Sequence, residues 1–442
     1  MKKDKDNVVL VVGSGGREHA IVRKLRESAH VGTIYAAPGN GGTARDAINV
    51  PIKATDVEGI VAFAKAHQVD MVMVAPDDPL MLGMVDALTA AGIPAFGPVK
   101  AAAEIEGSKV FAKNLMKKYH IPTAGYEVFD SAEDARQYIR TRGSYPIVIK
   151  ADGLALGKGV IIAESWEEAE DAVNSIMVDR RFGKSGEKIV VEEFLTGPEV
   201  SVLCFTDGKT ICPMVSSMDH KRAYDEDKGP NTGGMGAVAP NPFYTHKIAE
   251  ECMETIFRPT VNAMNMEGRT FKGVLYFGLM LTPRGPKVIE YNSRFGDPET
   301  QVVLRLLKCD LFEVFDAVIN GTLDQIAVVN EKGCAACVVA ASGGYPGSYE
   351  SGFRIEGLRP TGQLPLSEDV EVFHAGTKWT EEEVFLTSGG RILCVSATAA
   401  DLKSAVQIAY RAMKQIQIEG AFYRKDIGQR ALEEAKNLRA SR

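Results

Sequence analysis

The stretch KVIEYNSRFGDPETQ, residues 287–301, places polar side chains in a run that otherwise has the apolar character of a buried β-strand. Glu290, Asn292 and Arg294 recur at every second position, and because side chains of a strand alternate between its faces, all three point the same way. A carboxylate and an amide oxygen in this arrangement suit Mg²⁺ shared with phosphates, and the arginine can hold a carboxylate or a phosphoryl group. Because unpaired buried charges are costly, the pattern predicts a ligand site rather than a structural ionic ladder.

The composition predicts a globular protein of about three domains. Of the 442 residues, 45% are hydrophobic and 25% are charged, which argues against a disordered chain. The net charge is −7 and the basic residues form no block, so we expect no nucleic-acid partner. No run approaches the ~20 apolar residues of a membrane span, and the apolar run at the N-terminus is too short for a signal peptide. The seven scattered cysteines predict reduced thiols in a cytoplasmic protein.

The order of predicted strands and helices indicates a multidomain protein of the α/β and α+β classes. Residues 1–107 alternate strands and helices, which predicts a doubly wound parallel sheet. A helix capped by Ser108 opens residues 108–328, where a small α+β lobe at about 123–193 is set inside a larger one. Residues 329–442 are predicted to form a C-terminal α+β domain. The pattern also predicts single helices over Leu80–Ala90 and Thr300–Val318 and a polar loop over Ser216–Pro240.

The stretch VVGSGGREHA, residues 11–20, predicts a strand, a Gly-rich turn and the start of a helix. The amides of such a turn suit a phosphate-bearing ligand, and a purely structural turn is the alternative. A dinucleotide is not favoured, because Glu18 stands where the fingerprint has glycine and the second strand ends without an acidic residue. The loop PGNGG, residues 38–42, lies at the same predicted sheet edge, where open α/β sheets bind ligands.

Two stretches in the predicted lobes have features of a nucleotide site. IVIKADGLALGKGVIIA, residues 147–163, places Lys150 and Lys158 beside several glycines. A strand rather than a helix follows, so the glycines predict a hairpin flap over a polyphosphate instead of a Walker loop. IVVEEFLTGPEVS, residues 189–201, crosses between the lobes, where its backbone can meet an adenine and Glu199 a ribose. Solvated carboxylates at a strand end are the alternative for this second stretch.

The stretch SSMDHKRAYDEDKGPNTGGMGAVAP, residues 216–240, is predicted to be a long polar loop. Structureless loops of this length inside compact domains are usually functional. Asp219, Lys221 and Arg222 beside flexible glycines indicate a charged substrate, whereas His220 taken alone is also compatible with a structural histidine.

Taken together, these motifs resemble the ATP-grasp superfamily, in which two α+β lobes grip ATP under a Gly-rich flap. More specifically, GSGGREHA, PGN, GSK, IVIKADGLALGKGV, VEEFLTGPEVS, DHKRAYDEDKGPNTGGMGA and EYNSRFGDPETQ resemble the phosphoribosylamine–glycine ligase (glycinamide ribonucleotide synthetase) family. The resemblance extends nearly end to end, through FHAGT at 373–377, GGRILCV at 389–395 and YRKDIG at 423–428.

The resemblance implies a reaction of de novo purine synthesis. ATP, glycine and 5-phosphoribosylamine would give glycinamide ribonucleotide, ADP and phosphate through glycyl phosphate. ATP contacts are implied at Lys109, Lys150, Gly157, Lys158, Glu192, Glu193, Leu195 and Glu199, and Mg²⁺ or Mn²⁺ ligands at Glu290 and Asn292. Phosphoribosylamine contacts are implied at Gly15, Gly16, Arg17, Asn40 and Asp77. The expected catalytic residues are Arg294, Asp219 and Lys221, at the amino-acid end, and Lys158 in the flap. We expect a monomer or weak oligomer that binds neither nucleic acid nor a membrane.

The sequence departs from the family pattern at two places. Asp77, in PDDPL, replaces the glutamate of the family's PEAPL, which shortens the carboxylate. The strand GVLYFGLML before Glu290 has no carboxylate, so a second metal ion would rely on phosphates and Glu290.

A biotin- or ribonucleotide-carboxylating ATP-grasp enzyme would share the ATP site but lack the motif at 219–236. A dinucleotide oxidoreductase is disfavoured by Glu18, and a non-catalytic regulator by the presence of both Glu290 and Lys150.

Overall fold

The computed structural model describes residues 6–154, 159–365 and 369–440. They form two five-stranded, two four-stranded and three two-stranded sheets, with helices packed against the larger ones. Within these ranges no helix has both the length and the apolar character that crossing a membrane requires.

A five-stranded parallel sheet forms the N-terminal domain, as the alternating pattern predicts. Its central strand serves two cores, because Val9 and Val11 pack in one hydrophobic cluster and Leu10 and Val12 in another. The sheet is therefore doubly wound. In sheet order the strands are Ile48–Asn49, Val31–Pro38, Asn7–Gly13, Met71–Val74 and Ala95–Phe96. The helices are Gly16–Arg26, Thr43–Asp46, Val57–Ala66, Asp77–Met81, Met84–Ala90 and Lys100–Gly107.

The prediction of a single helix over Leu80–Ala90 is wrong. The segment divides into Asp77–Met81 and Met84–Ala90, because Gly83 adopts a φ of +83°. Glycine takes this left-handed conformation without a steric penalty, and a right-handed helix cannot continue through it.

The small lobe is an antiparallel four-stranded sheet with two helices. The helix Lys109–Lys118 precedes it and is capped as predicted, since the Ser108 hydroxyl accepts a 3.0 Å hydrogen bond from the Phe111 amide. In sheet order the strands are Tyr126–Phe129, Ile189–Glu193, Ile147–Ala151 and Val160–Ala163. The helices are Ala132–Arg142 and Trp166–Val173, which a π turn at Asn174–Val178 and a 3₁₀ turn at Gly183–Gly186 follow.

The large lobe contains the strand quoted at the outset. In sheet order its strands are Ile211–Pro213, Glu199–Thr206, Gly273–Thr282 and Gly285–Asn292, and a helical stretch runs through His246–Cys252, Met253–Phe257 and Arg258–Met266. Gly278 lies opposite Glu290, and Tyr276 lies opposite Asn292. Glu290 and Asn292 both line one cavity, as the alternation of strand side chains predicts.

The polar stretch Ser216–Pro240 is more ordered than predicted. It contains the strands Met218–Asp219, Arg222–Tyr224, Lys228–Asn231 and Gly236–Ala239. The first and last of these join a five-stranded sheet whose other members, in order, are Cys334–Ala341, Arg391–Ala399 and Val370–His374. One sheet therefore crosses the boundary predicted at residue 328. Ile355–Glu356 pairs with Gln417–Ile418 and Thr377–Trp379 with Phe385–Thr387, and the C-terminal helices are Leu402–Met413 and Gln429–Ala440.

The prediction of one helix over Thr300–Val318 is also wrong. Thr300–Val303 is followed by a 3₁₀ turn at Leu304–Leu306, and a separate helix begins at Leu311 and ends at Asn320. Asp310 caps that helix by accepting a 2.9 Å hydrogen bond from the Phe312 amide. The first helical segment ends where Leu307 takes an extended conformation, with a ψ of 122°, and the Asp310 cap starts the second helix. A last short 3₁₀ turn covers Leu323–Gln325.

Candidate active site

A cavity of about 1050 Å³ lies where the N-terminal domain, both lobes and the C-terminal sheet meet. The predicted site residues on its walls are Arg17, Asp77, Lys109, Lys150, Glu192, Glu193, Leu195, Glu199, Asp219, Lys221, Glu290, Asn292 and Arg294. Gly157 and Lys158 lie outside the described residues. The chain therefore brings most of the predicted residues to one place, although they come from widely separated segments.

Buried lysines occupy the part of the cavity between the lobes. Lys150 Nζ lies 3.1 Å from Glu192 Oε1 and donates to the Ile289 carbonyl, while Lys113 Nζ lies 3.0 Å from Glu192 Oε2. Burial lowers the pKa of Lys113 to about 8, despite the attraction of Glu192. Lys109 Nζ donates to the Gly153 carbonyl at 2.8 Å, and burial, followed by repulsion from Lys150, lowers its pKa. Lys113 and Lys150 share the single carboxylate of Glu192, and Lys109 donates only to a backbone carbonyl within the described chain. The three lysines therefore leave positive charge for an anionic ligand.

One ammonium joins two carboxylates at the strand end. Lys221 Nζ lies 3.4 Å from Glu290 Oε1 and 3.7 Å from Glu199 Oε2. The Lys221 charge lowers the pKa of Glu290, and Glu290 in turn holds the pKa of Lys221 well above its ordinary value. Glu290 is therefore ionised at neutral pH and ready to act as a metal ligand.

Arg294 is held by carboxylates of the N-terminal domain. One of its terminal nitrogens, Nη2, lies 2.9 Å from Glu106 Oε1 and 4.0 Å from Asp77 Oδ2, and it donates to Asn292 Oδ1 at 3.4 Å. Glu106 is fixed from behind by the amide and hydroxyl of Ser293, at 2.8 and 2.9 Å. Within the described chain the buried Nε of Arg294 has no hydrogen-bond partner. Arg294 thus joins the N-terminal domain to the end of the strand Gly285–Asn292.

Asp219 and His220 are neighbours with different surroundings. Among the described residues the buried Oδ1 of Asp219 has no hydrogen-bond partner, and burial, together with the Glu299 carboxylate, raises its pKa well above the ordinary value. His220 donates from Nδ1 to the Gly236 carbonyl at 3.3 Å and accepts the Gly428 amide at Nε2, 3.1 Å away. Burial lowers the pKa of His220 to about 4. His220 therefore ties two segments together as a neutral structural histidine.

The Gly-rich turn of the N-terminal domain is occupied by the chain's own carboxylates. The Gly15 amide donates to Glu18 Oε2 at 2.6 Å, and the Arg17 amide donates to Asp297 Oδ2 at 3.4 Å. The Arg17 side chain lines the cavity and is oriented by Glu18, which accepts from its Nε at 2.7 Å. Gly16 packs against Gln301, whose Nε2 would lie 2.7 Å from an added Cβ. The turn leaves Arg17, rather than its amides, facing the cavity.

Asn40 stands behind this turn. Its Nδ2 donates to the carbonyls of Ser14 and His374, at 2.9 and 2.8 Å, and the side chain is buried. It joins the two predicted ligand loops and the C-terminal sheet. Gly15, Gly16 and Asn40 are not among the residues that line the cavity, so any contribution they make to a ligand passes through the loops that they shape.

Several cavity residues were not predicted from the sequence. They include Glu106, Lys113, Tyr276, Asp297, Glu299 and Arg391. Glu106 and Lys113 stand in helices that carry other residues of the same charge, Glu104 in the first helix and Lys109 in the second, so the sequence did not single them out. Asp297 and Glu299 belong to the quoted stretch at 287–301 but follow the end of the strand, so alternation did not reach them. Arg391 gave no local signal, because its neighbours in the cavity are distant in sequence.

The wall fits a divalent cation by its chemistry. Glu290 and Asn292 offer a carboxylate and an amide oxygen, and hard oxygen ligands are what Mg²⁺ and similar ions take. Glu199, which shares the Lys221 ammonium with Glu290, is a second carboxylate at the same place.

Comparisons with known proteins agree with the geometry. Models of phosphoribosylglycinamide synthetase match residues 7–106 (N domain), 107–300 (ATP-grasp domain) and 335–430 (C domain). Phosphoribosylamine–glycine ligases of Rhodopirellula baltica and Salmonella typhimurium are 49% and 47% identical, over 96% and 97% of this chain and 98% and 100% of theirs. The crystal structure of phosphoribosylamine–glycine ligase from Thermotoga maritima has a TM-score of 0.81 at 35% identity, covering 95% of this chain and 100% of that one. The biotin carboxylase domain of Hydrogenobacter thermophilus 2-oxoglutarate carboxylase, which covers 96% of this chain and 92% of its own at 17% identity, shares the fold with a TM-score of 0.74.

Two lobes that close on buried lysines and oxygen ligands, below a hairpin, define an ATP-grasp ligase, which uses ATP with a divalent metal. The N-terminal and C-terminal parts of the chain identify one family within this class, because each matches the corresponding domain of that family. The chain belongs to the phosphoribosylglycinamide synthetase family.

Proposed function

We propose that this protein ligates glycine to 5-phosphoribosylamine, with conversion of ATP to ADP and phosphate, to give glycinamide ribonucleotide in the cytoplasm. The observation that carries the proposal is the convergence, in one cavity, of buried lysines, paired oxygen ligands and arginines from all parts of the chain. The family and the names of relatives that match nearly the whole chain support the same reaction. The chain acts as a monomer or a weak oligomer in this proposal.

ATP lies between the lobes in the proposed complex. Lys109, Lys150 and the flap residue Lys158 neutralise its phosphates, and Gly157 contributes its backbone amide, since phosphoryl transfer depends mainly on positioning and on charge stabilisation. The crossing at Glu192, Glu193 and Leu195 meets the adenine, and Glu199 meets the ribose. These positions line the cavity where the structure describes them.

Glu290 and Asn292 hold the divalent cation, Mg²⁺ or Mn²⁺, which when bound supplies positive charge to the phosphate oxygens. The glycine carboxylate attacks the γ-phosphorus atom, and ADP leaves with the electron pair of the broken P–O bond. The amine of phosphoribosylamine then attacks the carbonyl carbon of glycyl phosphate, and phosphate leaves with one former carboxylate oxygen. The amine loses a proton as the amide forms.

The chain's residues position these groups. Arg294 faces the transferring phosphoryl group and is fixed by Glu106, whereas Asp219 and Lys221 stand at the amino-acid end. Phosphoribosylamine enters from the N-terminal domain, where Arg17 and Asp77 line the cavity and Gly15, Gly16 and Asn40 shape its loops. Closure of the lobes would keep water from the acyl phosphate.

The proposal is tested by ADP release from ATP and Mg²⁺. We expect release only when glycine and freshly generated phosphoribosylamine are both present. Release that instead requires bicarbonate and an imidazole ribonucleotide would contradict the proposal and favour the carboxylating branch of the superfamily. ADP release measured while the metal-free protein is titrated with Mg²⁺ or with Mn²⁺ shows which of the two cations supports the reaction at the lower concentration.

A further inference from the structure

Arg391 is a cavity residue contributed by the C-terminal sheet, and only part of its guanidinium is used by the protein. Its Nη1 donates to the carbonyls of Gly233 and Asp297, both at 2.8 Å, and to the Gly234 carbonyl at 3.3 Å. The same nitrogen lies 3.3 Å from Asp297 Oδ1. Within the described chain, Nε and Nη2 make no hydrogen bond, although the side chain is only about one-fifth exposed and lines the cavity.

The free edge of Arg391 has the geometry of an anion site. Nε and Nη2 form the planar fork that matches a carboxylate with two parallel hydrogen bonds. Gly233 lets this fork lie against its turn, because an added Cβ would sit 2.9 Å from the guanidinium carbon. The anchored Nη1 holds the plane in place before any ligand arrives, which lowers the entropy lost on binding.

Asp219 is the complementary half of the site. Its Oδ1 is buried without a hydrogen-bond partner in the described chain, and it lines the same cavity. Burial and the Glu299 carboxylate raise the pKa of Asp219, and the positive charge of Arg391 opposes that rise, although the two side chains form no salt bridge with one another in the described chain. A buried acceptor and a free cationic fork therefore line the same cavity, and within the described chain each lacks a partner.

The charges around this pair select the class of ligand. The Asp297 carboxylate lies 3.3 Å from Arg391 Nη1, and the Glu299 carboxylate lines the same cavity. A phosphate dianion would meet these negative charges at a short distance. An α-amino acid adds no net charge, and its ammonium neutralises Asp219 while its carboxylate takes the fork.

We propose that Arg391 and Asp219 together bind the zwitterionic amino acid, with Nε and Nη2 on its carboxylate and Asp219 Oδ1 on its ammonium. The inference rests on the proposed function and adds a residue that reaches the site from the C-terminal sheet. One carboxylate oxygen stays free to attack the phosphorus atom. The C-terminal part of the chain thus contributes directly to substrate binding.

The test is steady-state kinetics of Arg391→Gln and Asp219→Asn in the full chain. Loss of a charge-assisted hydrogen bond lowers affinity by roughly 10- to 100-fold. We expect the KM for glycine to rise by this factor in each variant, with the KM values for ATP and phosphoribosylamine within about twofold of the original. Arg258→Gln, at an exposed arginine that pairs with Glu254, is the matched control and should change none of them.

Three results would overturn the inference. A rise in the KM for phosphoribosylamine instead would assign the fork to the ribose phosphate, and unchanged KM values would leave Arg391 with only its structural contacts. If Arg391→Gln does not fold, Gly233→Ala keeps the arginine but displaces its plane, and an unchanged glycine KM there would contradict the proposal. Failure of the unsubstituted protein to release ADP with glycine and phosphoribosylamine would refute the proposed function itself, which separates the two ideas.

Discussion

Two charged regions lie where the domains meet, and they differ in how completely their side chains are paired. The first, which we call the interdomain cluster, joins the N-terminal domain to the C-terminal sheet and consists of His19, Arg23, Asp46, Glu371 and His374. The second is the cavity wall described above. Both are largely buried, and both combine acidic and basic groups from segments distant in sequence.

In the interdomain cluster each charge has a close partner. Asp46 Oδ2 accepts from His19 Nε2 at 2.9 Å and from Arg23 Nη1 at 3.1 Å. Arg23 Nε also donates to Glu371 Oε2 at 3.1 Å. The His374 amide donates to His19 Nδ1 at 2.8 Å, which fixes His19 as a neutral imidazole with its proton on Nε2. Every charged side chain of this cluster therefore has at least one oppositely charged or hydrogen-bonded partner among the described residues.

The cavity wall is incomplete by contrast. Asp219 Oδ1 and Arg294 Nε have no partner in the described chain, and Glu290 and Glu199 share one ammonium. Buried polar groups are nearly always satisfied in folded proteins, so unsatisfied ones need an explanation. The comparison teaches that buried charge alone does not mark a site, whereas in the cavity wall charged atoms without partners face a space that can hold a ligand.

The largest expected effect is a loss of catalytic rate on substitution of Glu290 in the cavity wall. Glu290→Ala removes a proposed metal ligand, and we expect kcat to fall by roughly 10²- to 10³-fold, as for loss of one electrostatic contact to a transition state. The thermal unfolding temperature should stay close to that of the original chain, because Lys221 retains Glu199. Glu254→Ala, at an exposed glutamate, is the control for rate and stability. A rate within twofold of the original would remove Glu290 from the site.

The second prediction concerns the stability of the interdomain cluster. Burial opposes ionisation of Asp46, but His19 and Arg23 outweigh it and lower its pKa to about 2, below the ordinary value of 3.8. Its ionised form therefore stabilises the fold above about pH 4, and that contribution of about 2 kcal/mol is lost as pH falls towards 2.

Asp46→Asn should therefore lower the urea midpoint at pH 7, and the difference from the original chain should shrink near pH 3. Asp179→Asn, at an exposed position, should shift neither value. Equal destabilisation at both pH values would show that Asp46 acts through packing or a neutral hydrogen bond rather than through its charge.

The smallest expected effect is a gain of stability in the cavity wall. Burial and Glu299 raise the pKa of Asp219, so its carboxylate form destabilises the folded state increasingly as pH rises above the ordinary pKa. Asp219→Asn removes that charge, and we expect the unfolding temperature at pH 7 to rise by roughly 2–4 °C, with little change near pH 3. Differential scanning calorimetry at both pH values measures this. A lower unfolding temperature at pH 7 would mean that Asp219 is already well paired.

Local patterns were enough to predict the parallel N-terminal sheet, the capped helix after Ser108 and the position of Glu290 and Asn292 on the same face of one strand. In each case the signal, periodicity or a cap, lies within a few residues. The division of Thr300–Val318 at Asp310 was also local, but the apolar run concealed it.

The pairing of Met218–Asp219 and Gly236–Ala239 with the C-terminal sheet depends on a partner, Cys334–Ala341, that lies about a hundred residues away in the sequence. Arg391 escaped prediction for the same reason. Tertiary contacts decide which charged groups have partners. The sequence therefore predicted the residue types of the site but not which of its hydrogen-bond donors and acceptors lack a partner.

The central claim is that the cavity activates the glycine carboxylate by phosphoryl transfer, and isotope transfer tests it most directly. With glycine labelled by ¹⁸O in both carboxylate oxygens, ATP, Mg²⁺ and phosphoribosylamine, mass spectrometry of the released phosphate reports the route. The account predicts one ¹⁸O atom in each phosphate and one in the amide of the product. Unlabelled phosphate formed together with the amide product would contradict it.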